Sequence, residues 1–200
     1  PSYSGSGIYK SVDSGESWMN IALTTAVGTR CTKIDIHPTN ANIAYVSSNT
    51  GVYKTINGGS DWDKVLNGSA SDVIIDTNNP NTIYAGLYNN GLYKSTNGGD
   101  NWDKITNDNV IIPFISWFFP DKKGDFPQGN DAGWIKIAMG KNGTGGTGFL
   151  VVKLGQEGEL LFASSNGGET WFPSLDWSLG EMKGVQKIVI NPMNSNMVLA

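Results

Sequence analysis

The chain has 200 residues, enough to bury a sizeable core in one domain or in two small ones. Gly fills 26 positions, apolar residues make up 38% and charged residues 16%, a mixture that favours a turn-rich all-β protein over a helical bundle or a disordered chain. The net charge is −4 and the Lys residues are scattered, so the sequence lacks the basic stripe typical of a nucleic-acid-binding surface.

Cysteine and histidine each occur once, as Cys31 and His37. This excludes a disulfide within the chain and a zinc site built from a Cys/His cluster. No apolar run approaches the ~18 residues that a membrane-spanning helix needs. We therefore expect no metal, no cofactor, no membrane span and no nucleic-acid partner.

One eight-residue motif, Ser/Thr-x-Asp/Asn-x-Gly-x-x-Trp, occurs four times along the chain. Its defining residues are Asp13, Gly15 and Trp18; Asn57, Gly59 and Trp62; Asn97, Gly99 and Trp102; and Asn166, Gly168 and Trp171. The Trp residues follow one another at intervals of 44, 40 and 69 residues. The first two intervals match the ~40–50 residues of a propeller blade, and the third contains an insertion.

Strand-like segments accompany each copy of the motif. Residues 7–10, 51–54 and 91–94 share a Gly-apolar-Tyr-Lys pattern directly before it, and residues 160–163 are a degenerate version. An Asn-rich element also recurs, at 36–46, 75–85 and 190–200. Counting the alternating segments gives four strands per unit, which is the composition of a propeller blade.

These units predict the domain organisation. We expect a single propeller segment over residues 1–200, with part of a blade at 1–20, blades at 21–66 and 67–106, an irregular blade with an insertion at 107–175, and the start of another blade at 176–200. Because a closed propeller needs at least ~4 blades, we expect an incomplete circle whose remaining blades are a partner of this segment.

The four motifs resemble those of the Asp-box, or bacterial neuraminidase repeat, β-propellers. That group includes sialidases, sortilin-type receptors, photosystem assembly factors and tandem-propeller xyloglucan hydrolases. The resemblance covers residues 5–105 and 158–200 well and residues 106–157 poorly. It implies an all-β propeller of four-stranded blades and an extracellular, cell-surface or periplasmic location. It also places the motifs on the outer rim, where their Asp or Asn side chains are expected to accept backbone N–H bonds and to be structural.

Catalysis is not expected from these blades. Sialidases of this group clamp a carboxylate with three arginines, whereas Arg30 is the only arginine here. Xyloglucan hydrolases of the group carry a catalytic acid in the turn before the third strand. The corresponding turns, within residues 48–53 and 87–93, contain Asn or Thr instead, and these residues cannot act as a general acid or base.

The insertion between residues 106 and 157 is the part of the chain where a ligand surface is expected, since propeller insertions map to loops. Its aromatic residues Trp117, Phe118, Phe126 and Trp134 could stack on sugar rings, and the alternative is a buried inner strand around 117–119. The acidic residues Asp121, Asp125 and Asp131 do not have the spacing of a calcium loop.

The sequence therefore predicts a non-catalytic segment of a secreted Asp-box propeller that serves binding or scaffolding, with a glycan or a protein as ligand. One alternative is part of a xyloglucanase-like glycoside hydrolase whose catalytic acids lie outside these residues. The other is a sortilin-like propeller that binds peptides.

Overall fold

Antiparallel β-strands make up nearly all the regular structure in the described part of the chain. The computed structural model describes residues 5–22, 24–106, 129–141, 147–154, 161–173, 189–191 and 194–199. Within these ranges the only helical segments are the short helix α1 (Thr24–Val27) and a 3₁₀ turn (Gly129–Ala132). No helix in the described part of the chain has the length and apolarity needed to cross a membrane.

The chain divides into two compact units, and the boundary runs through its third sheet. One unit comprises Pro1–Ala85 and Lys94–Asp103, and the other comprises Gly86–Tyr93 and Lys104–Ala200. The first sheet is a hairpin of β1 (Ile8–Lys10) and β2 (Met19–Ala22). The first turn motif lies between these two strands and joins them.

The second sheet contains four strands in the order of the chain. They are β3 (Cys31–Ile36), β4 (Ala44–Ser48), β5 (Gly51–Thr55) and β6 (Asp63–Asn67). Each strand pairs antiparallel with the next, because every connection is a short turn rather than a crossover. The second turn motif joins β5 to β6.

The third sheet repeats this arrangement. Its strands are β7 (Ala70–Ile75), β8 (Ile83–Leu87), β9 (Gly91–Ser95) and β10 (Asp103–Lys104), again in chain order. The third turn motif joins β9 to β10. Its first two strands, β7 and β8, are almost entirely buried.

The fourth sheet consists of β11 (Trp134–Lys141), β12 (Thr147–Leu154), β13 (Leu161–Ser164) and β14 (Phe172–Pro173). β11 and β12 are eight residues long and pair along their whole length, from Trp134 with Leu154 to Lys141 with Thr147.

A final hairpin contains β15 (Val189–Asn191) and β16 (Asn194–Leu199). It coincides with the third copy of the Asn-rich element. The other two copies of that element form the β3–β4 and β7–β8 connections.

An apolar cluster stabilises the first unit around the first two sheets. Val46 and Tyr53 of the second sheet form one buried cluster with Ile8 and Ala22 of the first sheet and Val27 of helix α1. Ile21 and Trp62 pack against this cluster. Because full burial of one such side chain contributes about 1.5–3 kcal/mol, this contact holds the neighbouring sheets together.

Candidate functional site

The four turn motifs have the same hydrogen-bond geometry. In the second copy, Thr55 Oγ1 accepts the Gly59 N–H at 2.9 Å and the Asn57 amide oxygen accepts the Asp61 N–H at 3.0 Å. The Trp62 indole N–H then donates to the Gly59 carbonyl at 3.1 Å. The other copies repeat these bonds within 0.2 Å, with acceptors Ser11 and Asp13, Ser95 and Asn97, and Ser164 and Asn166. The polar groups that define the motif therefore bind one another inside the turn.

The motif also connects to the Asn-rich element of its own sheet and to a lysine of the preceding sheet. Gly58 N–H donates to the Asn42 carbonyl and Gly98 N–H to the Asn81 carbonyl, both at 2.9 Å. Lys10 Nζ reaches the Gly58 carbonyl at 3.0 Å, and Lys54 Nζ reaches the Gly98 carbonyl at 2.6 Å. These bonds explain why the motif, the Asn-rich element and the strand with the Gly-apolar-Tyr-Lys pattern recur together in the sequence.

Asp13 is the one carboxylate among the four defining Asp/Asn positions, and it should titrate abnormally. The Ser17 hydroxyl, the Ser17 backbone N–H and the Ser11 hydroxyl donate to it and lower its pKa to about 2. Because the folded pKa lies below the ordinary value, the ionised form stabilises the turn above pH ~4, and this contribution is lost as the pH falls towards 2.

NMR titration of the Asp13 carboxyl carbon should give a midpoint near pH 2, and the Ser17→Ala substitution should raise this midpoint because it removes the Ser17 hydroxyl bond. A midpoint near ~3.9 in the wild type would contradict these bonds.

The aromatic residues expected at the insertion fall into two groups. Trp117, Phe118 and Phe126 lie outside the described residues. Trp134 lies at the start of β11 and is 38% exposed. Its ring contacts the ring of Tyr88, which is 40% exposed, with centroids 5.2 Å apart and planes tilted by 46°. Both residues belong to the second unit, so the structure places a pair of half-exposed aromatic rings there.

The sequence patterns did not single out Tyr88, although the turn that contains it is longer than the corresponding turn of the preceding repeat. β4 and β5 are joined by the two residues Asn49 and Thr50, whereas β8 and β9 are joined by the three residues 88–90. The longer turn needs one left-handed residue, and Asn89 supplies it with φ of 52°. Asn89 N–H also donates to the Gly133 carbonyl at 3.2 Å, which ties the turn to the residue preceding Trp134.

The turn that carries Tyr88 also holds a group of hydrogen-bonded polar side chains. The side-chain oxygen of Asn90 accepts hydrogen bonds from the Tyr93 hydroxyl at 3.3 Å and from Lys104 Nζ at 3.2 Å. The turn itself, residues 88–90, contains no carboxyl group. The ring pair offers flat apolar surface, and the turn that carries Tyr88 also supplies neutral and cationic hydrogen-bonding groups.

The best-defined charged group of the first unit lies between β3 and β7. Lys33 Nζ is 3.1 Å from a carboxylate oxygen of the buried Asp72, and Asp35 accepts the Ile75 N–H at 2.7 Å. Burial raises the pKa of Asp35, opposed chiefly by that N–H bond. Since every one of these groups has a protein partner, the cluster joins two strands rather than offering a free acid.

No metal centre is found in the described part of the chain: no three His, Cys, Asp or Glu residues there are grouped to hold an ion. Of the three acidic residues in the insertion, Asp121 and Asp125 lie outside the described ranges. Asp131 is placed in the 3₁₀ turn at Gly129–Ala132.

Comparison with known proteins identifies similar solved structures. No protein-family model matches the chain, and no curated protein does. The Niastella koreensis GH74 enzyme is 20% identical with a TM-score of 0.60, over 84% of this chain and 22% of that one. YCF48 bound to a D1 peptide is 14% identical with a TM-score of 0.53, over 93% and 51% of the two chains. YCF48 from Cyanidioschyzon merolae is 17% identical with a TM-score of 0.51, over 92% and 52%.

The chain thus spans between about a fifth and a half of the length of these proteins. At such low identity the likeness concerns the fold alone. All three are β-propeller proteins, and the expectation of an all-β chain with four-stranded antiparallel sheets is confirmed. The protein has the β-propeller fold.

Proposed function

We propose that this chain is a non-catalytic propeller segment that binds a ligand, in the first place a glycan, through the Tyr88–Trp134 ring pair. The observation that carries the proposal is the contact of two half-exposed rings with centroids 5.2 Å apart. Tyr88 lies on a turn that is one residue longer than its counterpart, and Trp134 lies at the start of β11. The proposal includes an extracellular, cell-surface or periplasmic location, where free glycans are available.

A saccharide fits the chemistry of this surface. A pyranose ring presents an apolar C–H face, which packs well against the face of an aromatic ring, and a rim of hydroxyl groups. The 46° tilt lets each ring meet a different part of a ligand. The amide of Asn90, two residues after Tyr88, and the amine of Lys104, 3.2 Å from it, have the chemistry to bind the hydroxyl rim.

Binding without hydrolysis is favoured because residues 88–90 and the shorter turn of the second sheet contain no carboxyl group. A glycoside hydrolase remains the alternative for the whole protein, with catalytic acids elsewhere, and the likeness to a GH74 enzyme supports keeping it. The likeness to YCF48 bound to a peptide supports a peptide ligand as the second alternative. The same ring pair could then receive an aromatic or Pro-rich peptide.

One panel separates these three proposals. The purified chain is titrated calorimetrically with cellohexaose, a xyloglucan heptasaccharide and a Pro-rich decapeptide, and each oligosaccharide mixture is then assayed for new reducing ends. We expect heat of binding with at least one oligosaccharide and no new reducing ends. New reducing ends would favour the hydrolase, and heat with the decapeptide alone would favour the peptide-binding propeller.

A further inference from the structure

Asparagine is followed directly by glycine at six places in the chain. At such a step the backbone nitrogen of the Gly can attack the side-chain carbonyl carbon of the Asn, because Gly has no Cβ to hinder the approach. The reaction needs an Asn side chain that is free to rotate towards the backbone and a Gly N–H that is free to lose its proton. The fold therefore determines which steps react. The six asparagines are Asn57, Asn67, Asn90, Asn97, Asn142 and Asn166.

The turn motifs hold three of these side chains. The amide oxygens of Asn57, Asn97 and Asn166 each accept one hydroxyl and one backbone N–H, at 2.9–3.0 Å. In two of the motifs the attacking nitrogen is also engaged, since Gly58 and Gly98 donate their N–H groups to backbone carbonyls at 2.9 Å. Rotation of such an Asn breaks two hydrogen bonds, and deprotonation of such a Gly places a negative nitrogen against a carbonyl oxygen. The motif thus protects its own Asn-Gly step.

Asn90 is held by two side chains of its own sheet. Its amide oxygen accepts the Tyr93 hydroxyl at 3.3 Å and Lys104 Nζ at 3.2 Å. Rotation of this side chain towards the nitrogen of Gly91 would break both bonds. Asn142 lies outside the described residues. Four of the five described Asn-Gly steps are therefore held by hydrogen bonds.

Asn67 has a different environment. It is the last residue of β6, and both it and Gly68 are exposed. Within the described part of the chain, the Asn67 side chain and the Gly68 N–H make no hydrogen bond. The backbone of Asn67 is nevertheless ordered, because the residue pairs with Gly51 in the β5–β6 ladder. Both requirements of the reaction are therefore met at this step in the folded protein.

We propose that Asn67 is a site of spontaneous covalent modification, at which the side-chain amide becomes a carboxylate through a cyclic imide. The Gly68 nitrogen forms a bond to Cγ of Asn67 and the bond from Cγ to Nδ2 breaks, so that ammonia leaves with the proton lost by Gly68. Water then adds to either carbonyl of the imide and opens the ring, which gives aspartate or isoaspartate. Water is the only co-reactant, and the proposal is independent of the ligand proposed for the Tyr88–Trp134 pair.

The product alters the short connection between the second and third sheets. Only Gly68 and Ser69 lie between β6 and β7. Either product adds a negative charge at neutral pH, since a carboxylate replaces a neutral amide. The isoaspartate product also adds one methylene to the backbone of this connection. The modification therefore changes both the charge of the protein and the length of a link between two sheets.

Timed peptide mapping of the full chain tests the proposal. The protein is incubated in heavy-oxygen water at mildly alkaline pH, one sample native and one unfolded in guanidinium, and mass spectrometry quantifies the labelled aspartate and isoaspartate peptides. In the native sample the rate at Asn67 should exceed the rates at Asn57, Asn97 and Asn166 at least about tenfold, because each of those side chains must first break two hydrogen bonds. In the unfolded sample the four rates should be similar, since each Asn is followed by Gly.

A matched variant tests the protection directly. Ser95→Ala removes the hydroxyl that donates to Asn97, so it should accelerate the reaction at Asn97 and leave the rate at Asn67 unchanged. A native rate at Asn67 no higher than the rates in the motifs would overturn the proposal. Aspartate without isoaspartate would indicate direct hydrolysis of the side chain and would overturn the imide step. If the Ser95→Ala variant does not fold, the native and unfolded wild-type rates decide.

Discussion

Replacing Trp171 by Ala should lower the free energy of unfolding by about 3–5 kcal/mol, whereas the same change at Trp18 should cost only about 1 kcal/mol. The two residues hold the same position in the turn motif, and each indole N–H donates to a Gly carbonyl at 3.1 Å. Trp171 is 0% exposed and Trp18 is 63% exposed. The difference between the two costs therefore measures burial, with the hydrogen bond held constant.

Guanidinium unfolding followed by far-UV circular dichroism measures both costs under one condition. The Trp18→Ala variant controls for loss of the indole hydrogen bond and for any general effect of removing a motif Trp. Equal costs at the two positions would mean that the turn hydrogen bonds, rather than packing of the indole, determine the role of this residue.

Replacing Gly59 by Ala should cost about 2–4 kcal/mol, and replacing Gly15 by Ala about 1–2 kcal/mol. Both glycines have left-handed backbones, with φ of 95° and 94°, so the conformational strain of adding a Cβ is shared. At Gly59 the new methyl group would also collide with the Ile21 side chain of the first sheet, whereas at Gly15 the nearest atom is 3.9 Å away. The extra cost at Gly59 reports the close approach of two neighbouring sheets.

A double-mutant cycle tests this reading of Gly59. Ile21→Val removes Cδ1, the atom that the new methyl group would meet first. In that background Gly59→Ala should cost about 1–2 kcal/mol, close to the cost at Gly15. An unchanged cost in the Ile21→Val background would show that backbone strain alone accounts for the effect.

The turn motifs and strands could be predicted from the sequence because their causes are local. Thr55, Asn57 and Gly59 bind one another within five residues, so their spacing alone defines the turn. Burial could not be predicted in the same way. Trp18 and Trp171 have the same local sequence pattern but opposite exposure, because exposure depends on what packs against the turn.

The candidate site was predictable only in part. Trp134 was expected because an aromatic residue in an insertion suggests a ligand surface. Tyr88 was not expected, since its position depends on a contact with a residue 46 positions along the chain. The extra residue between β8 and β9 was a visible signal, but only the structure shows that it places a ring against Trp134.

The central claim is that ligand binding depends on the Tyr88–Trp134 pair and not on exposed aromatic residues in general. Calorimetric titration of cellohexaose and the xyloglucan heptasaccharide into four proteins tests it: the wild type and the Tyr88→Ala, Trp134→Ala and Trp18→Ala variants. Loss of an aromatic contact of about 1.4–3 kcal/mol should raise Kd at least tenfold in the Tyr88 and Trp134 variants. Trp18→Ala, which removes a more exposed ring from a turn motif, should change Kd less than about twofold. Unchanged affinity in the Tyr88 and Trp134 variants, or an equal loss in the Trp18 variant, would contradict the claim.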